Sequence, residues 1–145
     1  MRRLHAQTNR ERGSEAVEAA IGVPAFLLFL AVIIGGGRFA IAEQAINAAA
    51  SDAARTASIA RTQGQAQSVA TSGAYATLAN QSLQCTSKSV HVDVSGFAAP
   101  AGTPASVTAT VTCTVNLSDV AIPGMPGDRT ITAAMTSPID TYRER

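Results

Sequence analysis

The feature that most constrains this chain is one uninterrupted apolar stretch. Ala19 to Gly37 reads AAIGVPAFLLFLAVIIGGG, 19 residues without a charge. As a helix rising about 1.5 Å per residue it spans roughly 28 Å, close to the bilayer hydrocarbon thickness of about 30 Å. Glu18 closes the run on one side and Arg38 on the other. A soluble fold would have to cover Phe26, Leu27, Leu28, Phe29, Leu30, Ile33 and Ile34, and the remaining chain is poorly supplied for that. Hydrophobic residues make up 46% of the 145, yet aromatics are only 4% and Trp is absent. The apolar content is therefore mostly Ala and Val, which bury little area each and predict a thin core. The run is read as a single membrane-crossing helix.

The charges around it set a direction. Within residues 1–12, ahead of the run, Arg2, Arg3, Arg10 and Arg12 are opposed only by Glu11. The positive-inside rule puts the N-terminus in the cytoplasm and everything from Arg38 onward outside the cell membrane. A competing reading is a secretory signal peptide, because Ala40-Ile41-Ala42 follows the run as a cleavage site that would release a domain starting at Glu43. The apolar region of such a peptide is about 7–15 residues, shorter than this one. The net charge of +1 gives no electrostatic case for nucleic acid.

Beyond the run, a mostly small-residue stripe recurs at alternating steps of three and four, with a final step of seven: Phe39, Ala42, Ile46, Ala49, Ala53, then Ala60. Glu43, Asn47, Ser51, Asp52, Arg55 and Ser58 fall largely opposite, which predicts an amphipathic helix continuing out of the membrane. Thr62-Gln63-Gly64 marks a break. Residues 65–84 read as a second helix with Val69, Ala76, Ala79 and Leu83 as its stripe. Val90, Val92 and Val94 alternate with His91 and Asp93, and Val107 to Leu117 alternates with threonines, so both read as strands joined by a long connection from Gly96 to Pro104. Ser118 to Asp128, with two Pro-Gly pairs, reads as a surface loop. Ile131, Ala133 and Met135 suggest a third strand that Pro138 ends. The fold class expected is α+β: an N-terminal transmembrane helix extending into an amphipathic helix, a second short helix and a small antiparallel sheet. The divisions expected are a basic leader (1–13), the span (14–37), an outer helical region (38–84) and a sheet domain (85–145).

The only cysteines are Cys85 and Cys113. Outside the cytoplasm a disulfide between them is permitted. Cys113 shares a face with Val107, Val111 and Val115, and Cys85 sits where the second helix is expected to end. A bridge would then pin helix to sheet and close a loop of about 28 residues, contributing on the order of 3 kcal/mol. The two cysteines lack the paired spacing of a zinc site. His91 and Asp93 share a strand face, where a polar surface is the simpler reading than half of a metal or acid–base pair. No catalytic constellation, phosphate loop or nucleophile elbow is found, so no enzyme activity, cofactor, metal or small-molecule substrate is expected.

The most informative stretch lies ahead of the span, at Gly13-Ser14-Glu15-Ala16-Val17-Glu18. If the chain is cut after Gly13, Ser14 becomes the N-terminus and Glu18 the fifth residue. A carboxylate at the edge of a membrane helix is costly unless paired or in headgroup water, and a fresh α-amino group on a neighbouring copy is a suitable cation. The ordered set of basic leader, Gly-Ser junction, Glu at the fifth position and uncharged span resembles the type IV pilin superfamily. Arg10-Glu11-Arg12-Gly13-Ser14, Glu18, Pro24 early in the span and Gly37-Arg38 at its exit resemble most closely the TadE-like pseudopilins of the tight-adherence (Flp/Tad) pilus system, over about residues 8–60. Major pilins of that system usually carry an aromatic after the acidic residue; here Ala19 stands there, which favours a minor or pseudopilin role. The resemblance implies processing after Gly13 by a prepilin peptidase, assembly through Glu18, and other pilus subunits or further copies of the chain as partners. The alternatives are an uncleaved, membrane-anchored binding module and a secreted domain cleaved after Ala42.

Overall fold

The computed structural model describes residues 5–100, 102–116 and 127–141, with side chains from Glu15 onward. The expected surface loop therefore lies outside the described residues except for Gly127 and Asp128, and so does Leu117. Helix α1 runs from His5 to Ser58 without interruption, 54 residues or roughly 80 Å of helix. It passes through the Gly13-Ser14 junction, through Pro24 and through Gly35-Gly36-Gly37. Pro24 removes one backbone donor, a loss that membrane helices tolerate.

The break after α1 falls at Ile59–Thr62, slightly earlier than the sequence suggests. Thr62 caps helix α2 (Gln63–Asn80), its Oγ1 accepting from the Gln65 N–H at 3.2 Å. Gln63 and Gly64 are thus the first residues of α2 rather than part of the break. The buried face of α2 is Ala66, Ala70, Ala74 and Leu78, not the expected stripe. Ala76 and Ala79 face outward, Val69 is half-buried, and Leu83 lies beyond the helix end. The reason is distance: α2 packs on an alanine face of α1, and only the smallest residues, at four-residue spacing, let the two backbones approach. Gly73 has the same origin, since a methyl group there would meet the Asp52 carboxylate and the Thr56 hydroxyl. Thr77 Oγ1 donates to Asp52 Oδ2 at 3.0 Å across the same seam.

Three strands form one antiparallel sheet in the order β1 (Cys85–Asp93), β2 (Ala105–Asn116), β3 (Asp128–Ile139). A short 3-10 turn, Ser95–Ala98, interrupts the long connection between β1 and β2 and buries Phe97. Pro138 does not end β3; it lies within it, paired with Ser106. The strand is at the sheet edge, where a missing N–H can face away from the ladder. Met135 is on the packed side but remains 36% exposed.

The core lies between the sheet and the outer part of α1. On α1, Ala42, Ala45, Ile46, Ala49, Ala50, Ala53, Ala54 and Ala57 are all buried, a wider arc than one stripe. The helix is covered on two sides, by α2 and by β2 and β3. Ala60 is buried just past the helix end, whereas Phe39 is 39% exposed, because the head begins to cover α1 only at Ala42. Val92, Val107, Val111, Cys113, Val115, Ile131 and Ile139 close the core from the sheet side, so both outer segments contribute to one cluster.

The strands run along α1. Near Arg38 the helix meets the end of β2 at Val115 and Asn116, and at Ser58 it meets β3, where Ser137 Oγ donates to Ser58 Oγ at 3.1 Å. Ser137 pairs with Val107. Twenty helical residues and nine strand residues each cover about 30 Å, so the two paths match in length. One end of the head, with the α2–β1 turn, Asn116 and Asp128, is therefore beside the apolar half of α1. The other end carries Ile59, Asp93 and the 3-10 turn.

Candidate functional site

Gly13 and Ser14 lie inside α1, and Glu18 follows one turn after Ser14 on the same helical face. Glu18 is exposed, as is almost every residue from Glu15 to Ile41. Ile21, Phe26 and Phe29 are 69%, 60% and 61% exposed, so the head domain covers none of this apolar surface. α1 is the one helix among the described residues long and apolar enough to cross a membrane. Methyl groups at Gly36 or Gly37 would meet nothing, so packing within this chain does not require glycine at either position.

Cys85 and Cys113 are bonded to each other, with their Cα atoms 5.5 Å apart. The bridge joins β1 to β2 rather than helix to sheet, because α2 ends at Asn80 and Cys85 is already the first residue of β1. A register shift makes it reachable. Val90 and Val92 pair with Val111 and Ala109 on the packed side, and Ser87 pairs with Thr114 on the open side. Simple alternation would send Cys85 to the open side with Ser87. The bulge at Thr86 adds one residue, so Cys85 pairs with Val115 and turns inward toward Cys113. Nothing in the sequence pattern announces that bulge.

His91 and Asp93 are on the open face, as expected for a polar strand surface. Asp93 acts locally, its Oδ1 accepting from the Ser95 N–H at 2.9 Å to set up the 3-10 turn. That backbone hydrogen bond, with help from the Ser95 hydroxyl, holds the Asp93 carboxyl below the usual aspartate value. Among the described residues no cluster of three or more His, Cys, Asp or Glu is placed to hold a metal.

Two further features emerge only from the assembled sheet. The open face is a grid of paired hydroxyls: Thr108 with Thr136 at 2.9 Å, Thr112 with Thr132 at 3.1 Å, Thr114 with Thr130 at 2.9 Å, and Ser87 donating to Thr114 at 3.0 Å. The alternating threonines of β2 are its legible half; the matching register of β3 is not legible in sequence. The second feature is a cleft of about 280 Å³ where α1 enters the head, between Arg38 and Ile41 on the helix, Leu83 in the α2–β1 turn and Val115 on β2. On the far side of that turn, Lys88 Nζ stands 4.5 Å above the Tyr75 ring and ties β1 to α2.

No curated protein and no solved structure matches the chain. A family model described as TadE-like protein matches residues 13–55. The match begins at the glycine of the junction, covers the whole exposed apolar stretch of α1, and ends in the alanine face that packs on the sheet. Over residues 13–55, and there alone, the chain is similar to TadE-like proteins, the family that its span residues resemble.

Proposed function

We propose that the protein is a non-enzymatic minor pilin or pseudopilin of a tight-adherence pilus, held in the membrane by α1 and processed between Gly13 and Ser14. The observation that carries this reading is the TadE-like match itself, which starts at Gly13 and includes Glu18 and the span. In this reading residues 1–13 are a cytoplasmic leader, 14–37 the span, and the two outer segments, 38–84 and 85–145, face outward as one body. Processing requires the helix to open at the junction. The first turn of α1 carries no acidic residue to favour its N-terminal dipole, and Gly13 inside a helix costs about 1 kcal/mol relative to Ala. Both features weaken this end of α1 and favour its opening.

After the cut, the Ser14 amino group and Glu18 lie at the same end of an apolar rod. Glu18 of one copy then accepts the α-amino group of a neighbour, a pairing that relieves the cost of a carboxylate at the membrane edge. The disulfide, set in the sheet near the exit of the span, supports an outward-facing head, since such bonds persist in oxidising compartments. A cut after Ala42 is disfavoured by the burial of Ala42 within an unbroken helix.

N-terminal sequencing of the mature protein tests the assignment. Ser14 is the expected first residue; Met1 would mean an uncleaved anchor, and Glu43 a secreted domain. Glu18→Ala is expected to leave cleavage largely intact while piliation falls. Normal piliation with that variant would sink the pairing step.

A further inference from the structure

We propose that the cleft at the exit of the span holds the phosphate of an outer-leaflet phospholipid, with Arg38 as its cation. This rests on the membrane-spanning reading of α1 given above. The cleft is at the right depth. Arg38 is the first charge after the uncharged run, and the helical wall of the cleft extends from Arg38 to Ala45. That is about 10 Å of rise, comparable with the headgroup layer of roughly 5–8 Å that each leaflet adds to the hydrocarbon core.

The cleft also has the right charge. Among the described residues Arg38 is the one ionised side chain lining it; Glu43 and Asp128, on adjoining stretches of α1 and β3, are not among the lining residues. A guanidinium offers two parallel donors to a phosphate and is the side chain best matched to it. A gradient of polarity completes the match. Ile41, Leu83 and Val115 supply an apolar wall, and the exposed residues Gln81 and Gln84 add polar lining. A lipid carries the same gradient, from phosphate through ester oxygens to methylenes. Ile41 is 66% exposed beside the cation, an apolar surface that lipid methylenes cover without displacing anything. The volume suits a headgroup and its first carbons rather than a whole lipid. The neighbouring copy's α1, the other apolar occupant available in a membrane, brings no anion to Arg38 from its uncharged run.

The test uses the full-length protein in nanodiscs of phosphatidylcholine and phosphatidylglycerol, released and weighed by native mass spectrometry. The expected result is one phospholipid retained per chain, with retention reduced at least about tenfold in Arg38→Gln and in Leu83→Asp, as loss of a charged hydrogen-bond partner implies. Arg61→Gln, at the far end of the head, is expected to retain lipid like the parent chain. Disulfide-dependent gel mobility checks that each variant is folded. Equal retention in the parent chain and Arg38→Gln overturns the assignment. Resistance to alkaline carbonate extraction separates anchoring from lipid capture. A chain washed from the membrane overturns the anchoring reading, whereas a chain that stays embedded and keeps no lipid overturns the cleft assignment alone. A photo-crosslinker at Leu83 that captures a second copy's α1 in place of lipid also overturns it.

Discussion

Ser82 holds a left-handed backbone, φ +55°, between α2 and β1. Its N–H donates to the Ala79 carbonyl at 2.9 Å and the next N–H, of Leu83, to the Leu78 carbonyl at 3.1 Å. These two bonds close the helix end in a Schellman motif, which places Leu83 against the core beside Leu78. The position after the cap usually belongs to glycine, because a Cβ costs about 1–2 kcal/mol in this conformation. Ser82→Gly is therefore expected to stabilise the head by about 0.5–1 kcal/mol, read as a higher urea midpoint at unchanged slope. Gly96 is the opposite case: a methyl group there would run into the Ser106 carbonyl oxygen, so the turn is closed to other residues. Asp93 gives a prediction with a sign. Its folded pKa lies below the ordinary 3.8, so its contribution to stability is complete above that value and is lost as pH falls through the folded value. NMR titration of the Asp93 carboxyl should show a midpoint below that of an unstructured aspartate.

Among the elements, the disulfide has the largest effect expected from a single chemical change. It closes 28 residues of sequence, a loop whose entropy is worth about 3–4 kcal/mol. Against a core built mostly of alanine and valine, that is a large share of the total. Reduction of the folded protein is expected to lower the urea midpoint accordingly. Free-thiol labelling of both cysteines before reduction would contradict the bridge. The strands show which parts of an element a sequence can disclose. Alternation in Val107–Val115 is clear because one face is buried and the other wet, and the structure has that pattern residue for residue. The face of α2 differs from its sequence stripe because most of its candidates are alanines; alanine carries little hydrophobic signal, and the close approach to α1 selects Ala66, Ala70 and Ala74. The bulge at Thr86 and the Thr–Thr pairs depend on register between distant segments, which no local pattern encodes. Pro138 misleads for a related reason, since its effect depends on whether the strand is central or at an edge.

At the scale of the whole molecule, the long apolar helix is legible because a membrane-crossing segment needs length and apolarity in consecutive residues. The cleft beside Arg38 is not, because its walls come from three separate elements. The same continuity of α1 that joins the span to the head bears on assembly. With no break between Glu15 and Ser58, axial movement of the span is passed to the head, about 1.5 Å and 100° for each residue of screw-like advance. Two prolines placed at the outer end of the span, at Gly36 and Gly37, are expected to leave membrane insertion intact while lowering piliation. Carbonate extraction and pilus counts read the two effects separately.

Among the described residues β1 is an edge strand; it begins at the end of the head beside the apolar half of α1 and runs away from it. Under the proposed anchorage, copies in one membrane all present this edge pointing the same way. The antiparallel zippering by which loose edges most readily join would require one head to stand upside down. Under that same proposal, anchorage by α1 is also a safeguard against clumping, and the head is at greatest risk whenever it is outside the bilayer with nothing to fix its direction.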